Sequence, residues 1–212
     1  MFGTNRKKFI SFEGIDFAGK STQLNLLATR LTAHGQKVIT LREPGGTKIS
    51  EQIRQILLDN KNIGINHGCE LLLYSAARIQ ILQEKIIPGL QNGYFVLMDR
   101  YIDSTTAYQG YGRKLSLNFI KTLNRFVSEG IMPSTTFFLD LDPSVMEIRK
   151  QIRGAESDRL ETTGSTFFKN IYEGYLKLAD TNKERIKVIN ANNPVEKIAQ
   201  EIWEFVRDKY TL

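Results

Sequence analysis

The sequence predicts an α/β fold of three layers, a roughly five-stranded parallel sheet flanked by helices. Three observations carry that prediction. Short apolar runs alternate along the chain with stretches of helical periodicity. The runs are nearly continuous rather than alternating apolar and polar, the pattern of parallel strands buried on both faces. The first run ends in a glycine-bracketed loop, and an amphipathic helix begins directly after it. Length agrees: 212 residues, 41% hydrophobic and 25% charged, suit one sizeable core, read as a single domain over residues 1–212.

In chain order, "KFISFE" (Lys8–Glu13) reads as the first strand. Lys20 to His34 follows as a helix with Leu24, Leu27 and Leu31 on one face. "KVITLR" (Lys37–Arg42) is the second strand, and Glu70 to Ile87 is a long apolar helix. "YFVLMD" (Tyr94–Asp99), "TTFFLDL" (Thr135–Leu141) and "IKVIN" (Ile186–Asn190) complete the strands. Pro194 to Lys209 closes the chain as a helix striped by Ile198, Ile202 and Phe205. Arg153 to Thr166 departs from this alternation, with two glycines, mixed charge and little apolar content. It reads as a mobile surface loop, and loops of that length in compact domains often act as active-site lids; the lid is placed at about 149–166.

Composition excludes some classes of function. The net charge of +6 attracts anions in general, but the basic residues are scattered, which argues against a nucleic-acid surface. The apolar part of the N-terminal stretch stops at Glu13, too short for a signal peptide. The most apolar longer segment is cut by Arg78, Glu84 and Lys85, so it does not span a bilayer. Cys69 is the single cysteine and fits a reducing compartment; His34 and His67 stand apart with no neighbouring cysteine and make no zinc site. These features read as a soluble, cytoplasmic protein.

"GIDFAGKS", Gly14 to Ser21, fits G-x-x-x-x-G-K-[ST], and its strand–loop–helix context is the one that motif requires. Such a loop turns backbone N–H groups inward around phosphate oxygens. Lys20 would reach the β- and γ-phosphates, Ser21 would bind Mg²⁺, and the helix behind offers its positive N-terminus. The fold is therefore of the P-loop NTPase type, with Gly14, Ile15, Asp16, Phe17, Ala18, Gly19, Lys20, Ser21 and Thr22 as the candidate ATP loop. A guanine-reading N-K-x-D is not met, since "NKER" places Arg185 where the aspartate belongs. A small α/β chain with a phosphate loop at its start and a lid near its end looks like a nucleotide or small-metabolite kinase. Arg42 ends the second strand, where ligands of such sheets bind. Asp99 ends the third strand like a Walker B carboxylate, able to hold Mg²⁺ directly or through water, and Arg100 points at the crevice.

"FEGIDFAGKST", "REPGGT", "LLLYSAAR", "DRYIDSTTAYQGYGR" and "DRLE" occur in this order, and together they resemble the bacterial thymidylate kinases over essentially the whole chain. The resemblance implies transfer of a phosphoryl group from ATP to dTMP with Mg²⁺, and a homodimer. By the same resemblance Tyr74 stands where the family stacks an aromatic ring on the base, usually Phe. Arg78, four residues on and so on the same helical face, would donate to thymine O4 and reject the amino group of cytosine. Gln109 would pair with N3–H and an adjacent carbonyl, Thr105 would add a polar contact, and Tyr108 would crowd the sugar 2′ position. Arg42 and Arg100 would meet the acceptor phosphate, and Asp16 matches the carboxylate near the 3′-hydroxyl. Phe17 departs from the family, where glycine or arginine stands beside the acid. It supplies no charge, so transition-state charge falls to the lid: Arg153 first, Arg149 second, with Arg159 read instead as an anchor of the lid. The proline turn of "EPGG" resembles a rigid bend, with a cis Glu43–Pro44 bond. Two alternatives stay open: a kinase for another pyrimidine nucleotide or deoxynucleoside, and a nucleotide-binding regulator without transfer activity.

Overall fold

The computed structural model describes residues 5–154, 159–160 and 163–212. Its strands are β1 (Phe9–Glu13), β2 (Val38–Arg42), β3 (Phe95–Asp99), β4 (Thr135–Asp140) and β5 (Ile186–Asn190). They form one parallel sheet in the order β2-β3-β1-β4-β5. Its helices are α1 (Lys20–Ala33), α2 (Lys48–Leu58), α3 (His67–Ile81), α4 (Ile87–Gln91), α5 (Ile102–Thr105), α6 (Leu117–Val127), α7 (Pro143–Arg153), α8 (Ser165–Thr181) and α9 (Val195–Tyr210).

Side chains of the central strands alternate between two apolar layers, as the two-residue strand period requires. Ile10, Phe12, Phe95, Leu97, Phe137 and Leu139 face one layer, with Leu24, Leu27 and Leu31 of α1 and Ile198 and Ile202 of α9. Phe9, Val96 and Met98 face the other, with Ile81, Leu82 and Ile86. Burial of each such large side chain contributes about 1.5–3 kcal/mol. The expectation of strands buried on both faces holds for β1, β3 and β4 and fails for β2 and β5, which keep exposed positions. Those two are the sheet edges, where flanking helices cover less.

The long apolar helix also differs from its expected span. The helical path runs from His67 to Gln91, with a π-helical turn over Leu82–Ile86 between α3 and α4. Pro88 follows that turn. Proline lacks an N–H and clashes with the carbonyl four residues back, and the widened turn accommodates both defects without breaking the rod. A second π-helical turn, Thr106–Gly112, extends α5.

Register sets up the site. Phe12 of β1 and Arg42 of β2 both lie opposite Asp99 of β3. The three strands therefore end level, and the residues after them emerge side by side at the carboxyl edge of the sheet.

Candidate active site

Gly14 leaves β1 at φ 136, and a Cβ there would lie 2.7 Å from the Leu139 carbonyl oxygen of β4. Only glycine turns this corner without displacing the sheet. The loop closes at Gly19, the left-handed N-cap of α1. Lys20 is buried and donates from Nζ to the Ile15 carbonyl at 2.7 Å. Burial first, and then the Arg100 charge, push its ammonium down to about 8, against the pull of Asp99, Asp16 and Glu13. The lysine is thus held against the backbone of the loop.

Ser21 donates from Oγ to Asp99 Oδ2 at 2.5 Å. Among the described residues no group of three or more His, Cys, Asp or Glu could hold a metal ion. A hydroxyl and one carboxylate facing the phosphate loop are all-oxygen donors, and they suit Mg²⁺, which completes its shell with waters and phosphate oxygens.

Arg100 follows β3 in left-handed backbone, φ 71. Its guanidinium donates to the Gly14 carbonyl at 2.9 Å and to Asp16 Oδ1 at 2.5 Å. It lies 4.8 Å from the centre of the Tyr108 ring, and the Tyr108 hydroxyl donates to Asp16 Oδ2 at 3.0 Å. Burial pushes the Asp16 carboxyl up, but Arg100 and Lys20 outweigh it and hold the group below its usual value. Behind this trio Glu13 is wholly buried and accepts from Tyr101 N, Ser104 Oγ and Tyr175 OH at 2.7, 2.6 and 2.9 Å. Burial, and after it the Asp103 charge, raise its carboxyl to about 7.

The bend after β2 carries a cis Glu43–Pro44 bond, as expected. Arg42 donates to Glu51 Oε2 of α2 at 2.9 Å, and the other oxygen of Glu51 takes the Gly46 N–H at 2.7 Å. Arg54, one helical turn beyond Glu51, donates to the Pro44 carbonyl at 2.9 Å. The α2 helix was not anticipated from the sequence, so neither Glu51 nor Arg54 was singled out. The Thr47 cap, whose side chain accepts from Ser50 N, was the signal available.

Two adjoining recesses share Asp16, Glu43, Arg54 and Arg100 in their walls. Gly19, Lys20, Ser21, Thr22, Arg42, Asp99, Arg149 and Arg153 line the first. Tyr74, Arg78, Ser104, Thr105, Tyr108 and Gln109 line the second. Arg78 is buried and donates to Glu43 Oε2, Thr105 Oγ1, Asn124 Oδ1 and the Tyr101 carbonyl. The bond to Asn124 is the longest, at 3.4 Å. Gln109 donates from Nε2 to Glu70 Oε1 at 3.0 Å. Glu70, Tyr74 and Arg78 recur every four residues on α3. That stripe was legible, yet the reading from sequence took up only its last two members.

The expected transition-state arginines are separated. Arg149 donates to the Phe17 carbonyl at 3.1 Å and the Ala191 carbonyl at 2.7 Å, tying the loop to the turn after β5. Arg153 lies at the first recess with its guanidinium 5.6 Å from the Phe17 ring centre. Arg159 is buried against α2 and α3, donating to the Leu57 carbonyl and to Glu70 Oε2. Of the expected lid, residues 155–158 and 161–162 lie outside the described residues. The expectation of a surface loop fails at Arg159 and Leu160, both buried, because Arg159 finds acceptors beneath the segment and Leu160 joins the apolar core.

A family model described as thymidylate kinase matches residues 12–202. The chain is 43% identical to a thymidylate kinase of Chlorobium luteolum over 95% of this chain and 97% of that one. It is 41% identical to one of Thermoanaerobacter sp. strain X514 over 94% and 97%. Among solved structures, the crystal structure of thymidylate kinase from Ehrlichia chaffeensis superposes with a TM-score of 0.76 at 32% identity, covering 94% of this chain and 97% of that one.

Proposed function

The chain belongs to the thymidylate kinase family, an enzyme that phosphorylates dTMP to dTDP with ATP and Mg²⁺, and on that premise we propose how its own residues divide the work. The observation that carries the assignment is the pair of recesses meeting at Asp16 and Arg100. ATP occupies the first, its phosphates wrapped by Gly14–Thr22 and by Lys20. Ser21 and Asp99 would hold Mg²⁺, which would supply positive charge to the donor phosphates. The acceptor lies in the second, with its phosphate at Arg100, Arg42 and Arg54. An oxygen of the dTMP phosphate attacks the γ-phosphorus in line, and ADP leaves. That oxygen is already ionised at neutral pH, so no strong base is required. Positioning and charge neutralisation supply the catalysis.

Asp16 orients Arg100 and Tyr108 from inside the loop and meets the sugar hydroxyl. Tyr74 stacks on the base, Arg78 turns its longest-bonded N–H to thymine O4, Thr105 lies beside it, and Gln109 reads N3–H. Tyr108 fills the space a ribose 2′-hydroxyl would need. Arg153 brings positive charge to the transferring phosphoryl group, while Arg149 braces the loop against the turn after β5. The whole chain acts as one domain, with 149–166 as a lid that excludes water.

The partner is a second copy of the chain. α3 packs against both α2 and α6, and these helices leave Ile49, Ile56, Leu72, Phe119 and Phe126 exposed. Apolar side chains in such number on adjoining helices suit a subunit contact. No helix of the described residues is long and apolar enough to cross a membrane. We place the enzyme in the cytoplasm, where its substrates are and where the exposed Cys69 stays reduced.

The test is ADP release from ATP and Mg²⁺ with dTMP, dUMP, dCMP, UMP or thymidine, each against a control without acceptor. Strong turnover with dTMP, less with dUMP and almost none with the others supports the division of roles. A preference for thymidine would remove Arg42, Arg54 and Arg100 from the acceptor phosphate. Release that ignores the acceptor would leave an ATPase or a regulator.

A further inference from the structure

Glu70 lies at the start of α3, wholly buried. Its carboxylate receives four N–H contacts from three separate places. Gln109 Nε2 and Arg113 Nε reach Oε1 at 3.0 and 3.2 Å. Arg113 Nη2 and Arg159 Nη2 reach Oε2 at 3.1 and 2.6 Å. Two donors on each oxygen use the whole accepting capacity of a carboxylate. Two guanidiniums keep the acid ionised: burial pushes it up, and the hydrogen bonds from Arg113, Gln109 and Arg159 bring it below its usual value.

An ionised carboxylate only accepts. A side-chain amide bonded to it must therefore present its NH₂ side, and its carbonyl oxygen is turned the other way. Gln109 Oε1 accepts no hydrogen bond among the described residues, and Gln109 lines the recess assigned to the base. We infer that Glu70 is a positioning residue for base selection, holding the Gln109 amide in the one orientation that offers an acceptor to the N3–H of thymine or uracil. Cytosine carries an acceptor at N3 and meets Gln109 Oε1 with repulsion. Selectivity against dCMP thus originates partly in a carboxylate that never touches the base. Oε2 of Glu70 also holds Arg159, so Arg159 is rooted on the group that sets the amide.

The inference rests on the reading of Gln109 as a base contact, so the experiment separates the two. kcat/KM is measured for dTMP, dUMP and dCMP with the wild-type enzyme, Gln109→Leu and Glu70→Gln. Gln109→Leu should lower the dTMP-to-dCMP ratio about tenfold or more. In Glu70→Gln the two arginines claim the new carbonyl oxygen and its NH₂ faces Gln109, which favours a turned-over amide with its donor toward the base. The dTMP value then falls about tenfold, dCMP does not fall with it, and the dTMP-to-dUMP ratio stays constant. An equal loss for dTMP and dCMP in Glu70→Gln, with the ratio lowered in Gln109→Leu, overturns the role of Glu70 alone. An unchanged ratio in Gln109→Leu overturns the base contact and the inference with it. Should Glu70→Gln not fold, the wild-type enzyme decides by NMR. The Gln109 side-chain NH₂ signal, identified by its loss in Gln109→Leu, should stay protected from exchange when dTMP binds. Loss of that protection would mean that the amide leaves Glu70, against the inference.

Discussion

Phe17 sits in left-handed backbone at φ 60, a strain of about 1–2 kcal/mol for a residue with a Cβ. Its ring lies under the Arg153 guanidinium, a contact of about 0.5–1 kcal/mol at an exposed site. Phenylalanine here thus trades backbone ease for a hold on Arg153 at the end of α7. Arg153→Ala is expected to lower kcat about 10–100-fold with ATP affinity changed less than about threefold; unchanged kcat would remove Arg153 from the reaction. Phe17→Gly should lower kcat by less, with stability in a denaturant melt within about 1 kcal/mol of wild type. Ion pairs of the same kind differ in weight by burial. Arg78 and Glu43 are both under 5% exposed, whereas Arg42 and Glu51 are 49% and 39% exposed. Glu43→Ala should cost about 3–5 kcal/mol in chemical denaturation, because it strands a buried guanidinium. Glu51→Ala should cost under about 1 kcal/mol and instead raise KM for dTMP by loosening Arg42. Lys20 gives a pH signature. Its folded value of about 8 lies below the ordinary 10.5, so between those limits the unfolded chain binds more protons and stability rises with pH. A bound triphosphate raises the value again. Calorimetry of ATP binding at pH 8.5 in two buffers of different ionisation enthalpy should therefore show proton uptake, absent at pH 6.5 and absent in Lys20→Ala.

At the scale of elements, the turn out of β1 is tightly constrained. Gly14 faces the Leu139 carbonyl at a distance no Cβ tolerates. Gly14→Ala is expected to destabilise by more than about 2 kcal/mol and to abolish ATP binding, read by thermal melts with and without nucleotide. Strands were legible because each is a short apolar run, and α1 and α9 because their leucine and isoleucine stripes keep the helical period. The helices α2, α6, α7 and α8 were not drawn, although Thr47, Ser116 and Asp142 cap three of them and Pro143 opens α7. The π-helical turns left no mark in periodicity. A π turn adds a residue to one turn, which shifts the phase of everything after it, and it is tertiary packing that makes the shift worthwhile. That shift carries Tyr108 and Gln109 to the wall of the base recess.

For the whole molecule, the level ends of β1, β2 and β3 make one site from three distant segments. The exposed apolar side chains of α2, α3 and α6 make the other large-scale feature. Phe126→Arg is expected to shift sedimentation from dimer to monomer with the fold retained by circular dichroism; an unshifted species would place the subunit contact elsewhere. By itself the sequence determined the strands of the sheet and the phosphate loop, because these rest on local spacing: short apolar runs and a motif between strand and helix. The cis bend and the side chains expected to serve dTMP were implied by the resemblance to a family, not by spacing. Tertiary structure alone decided which arginines line the first recess and which is buried, since Arg149 and Arg153 line it and Arg159 is buried against Glu70, although the three differ in sequence by a few positions. It alone joined Glu70 to Gln109, Arg113 and Arg159, and Glu43 to Arg78. A buried charge needs partners, and the partners that satisfy it come from wherever packing brings a donor within 3 Å or so, which no spacing along the chain records.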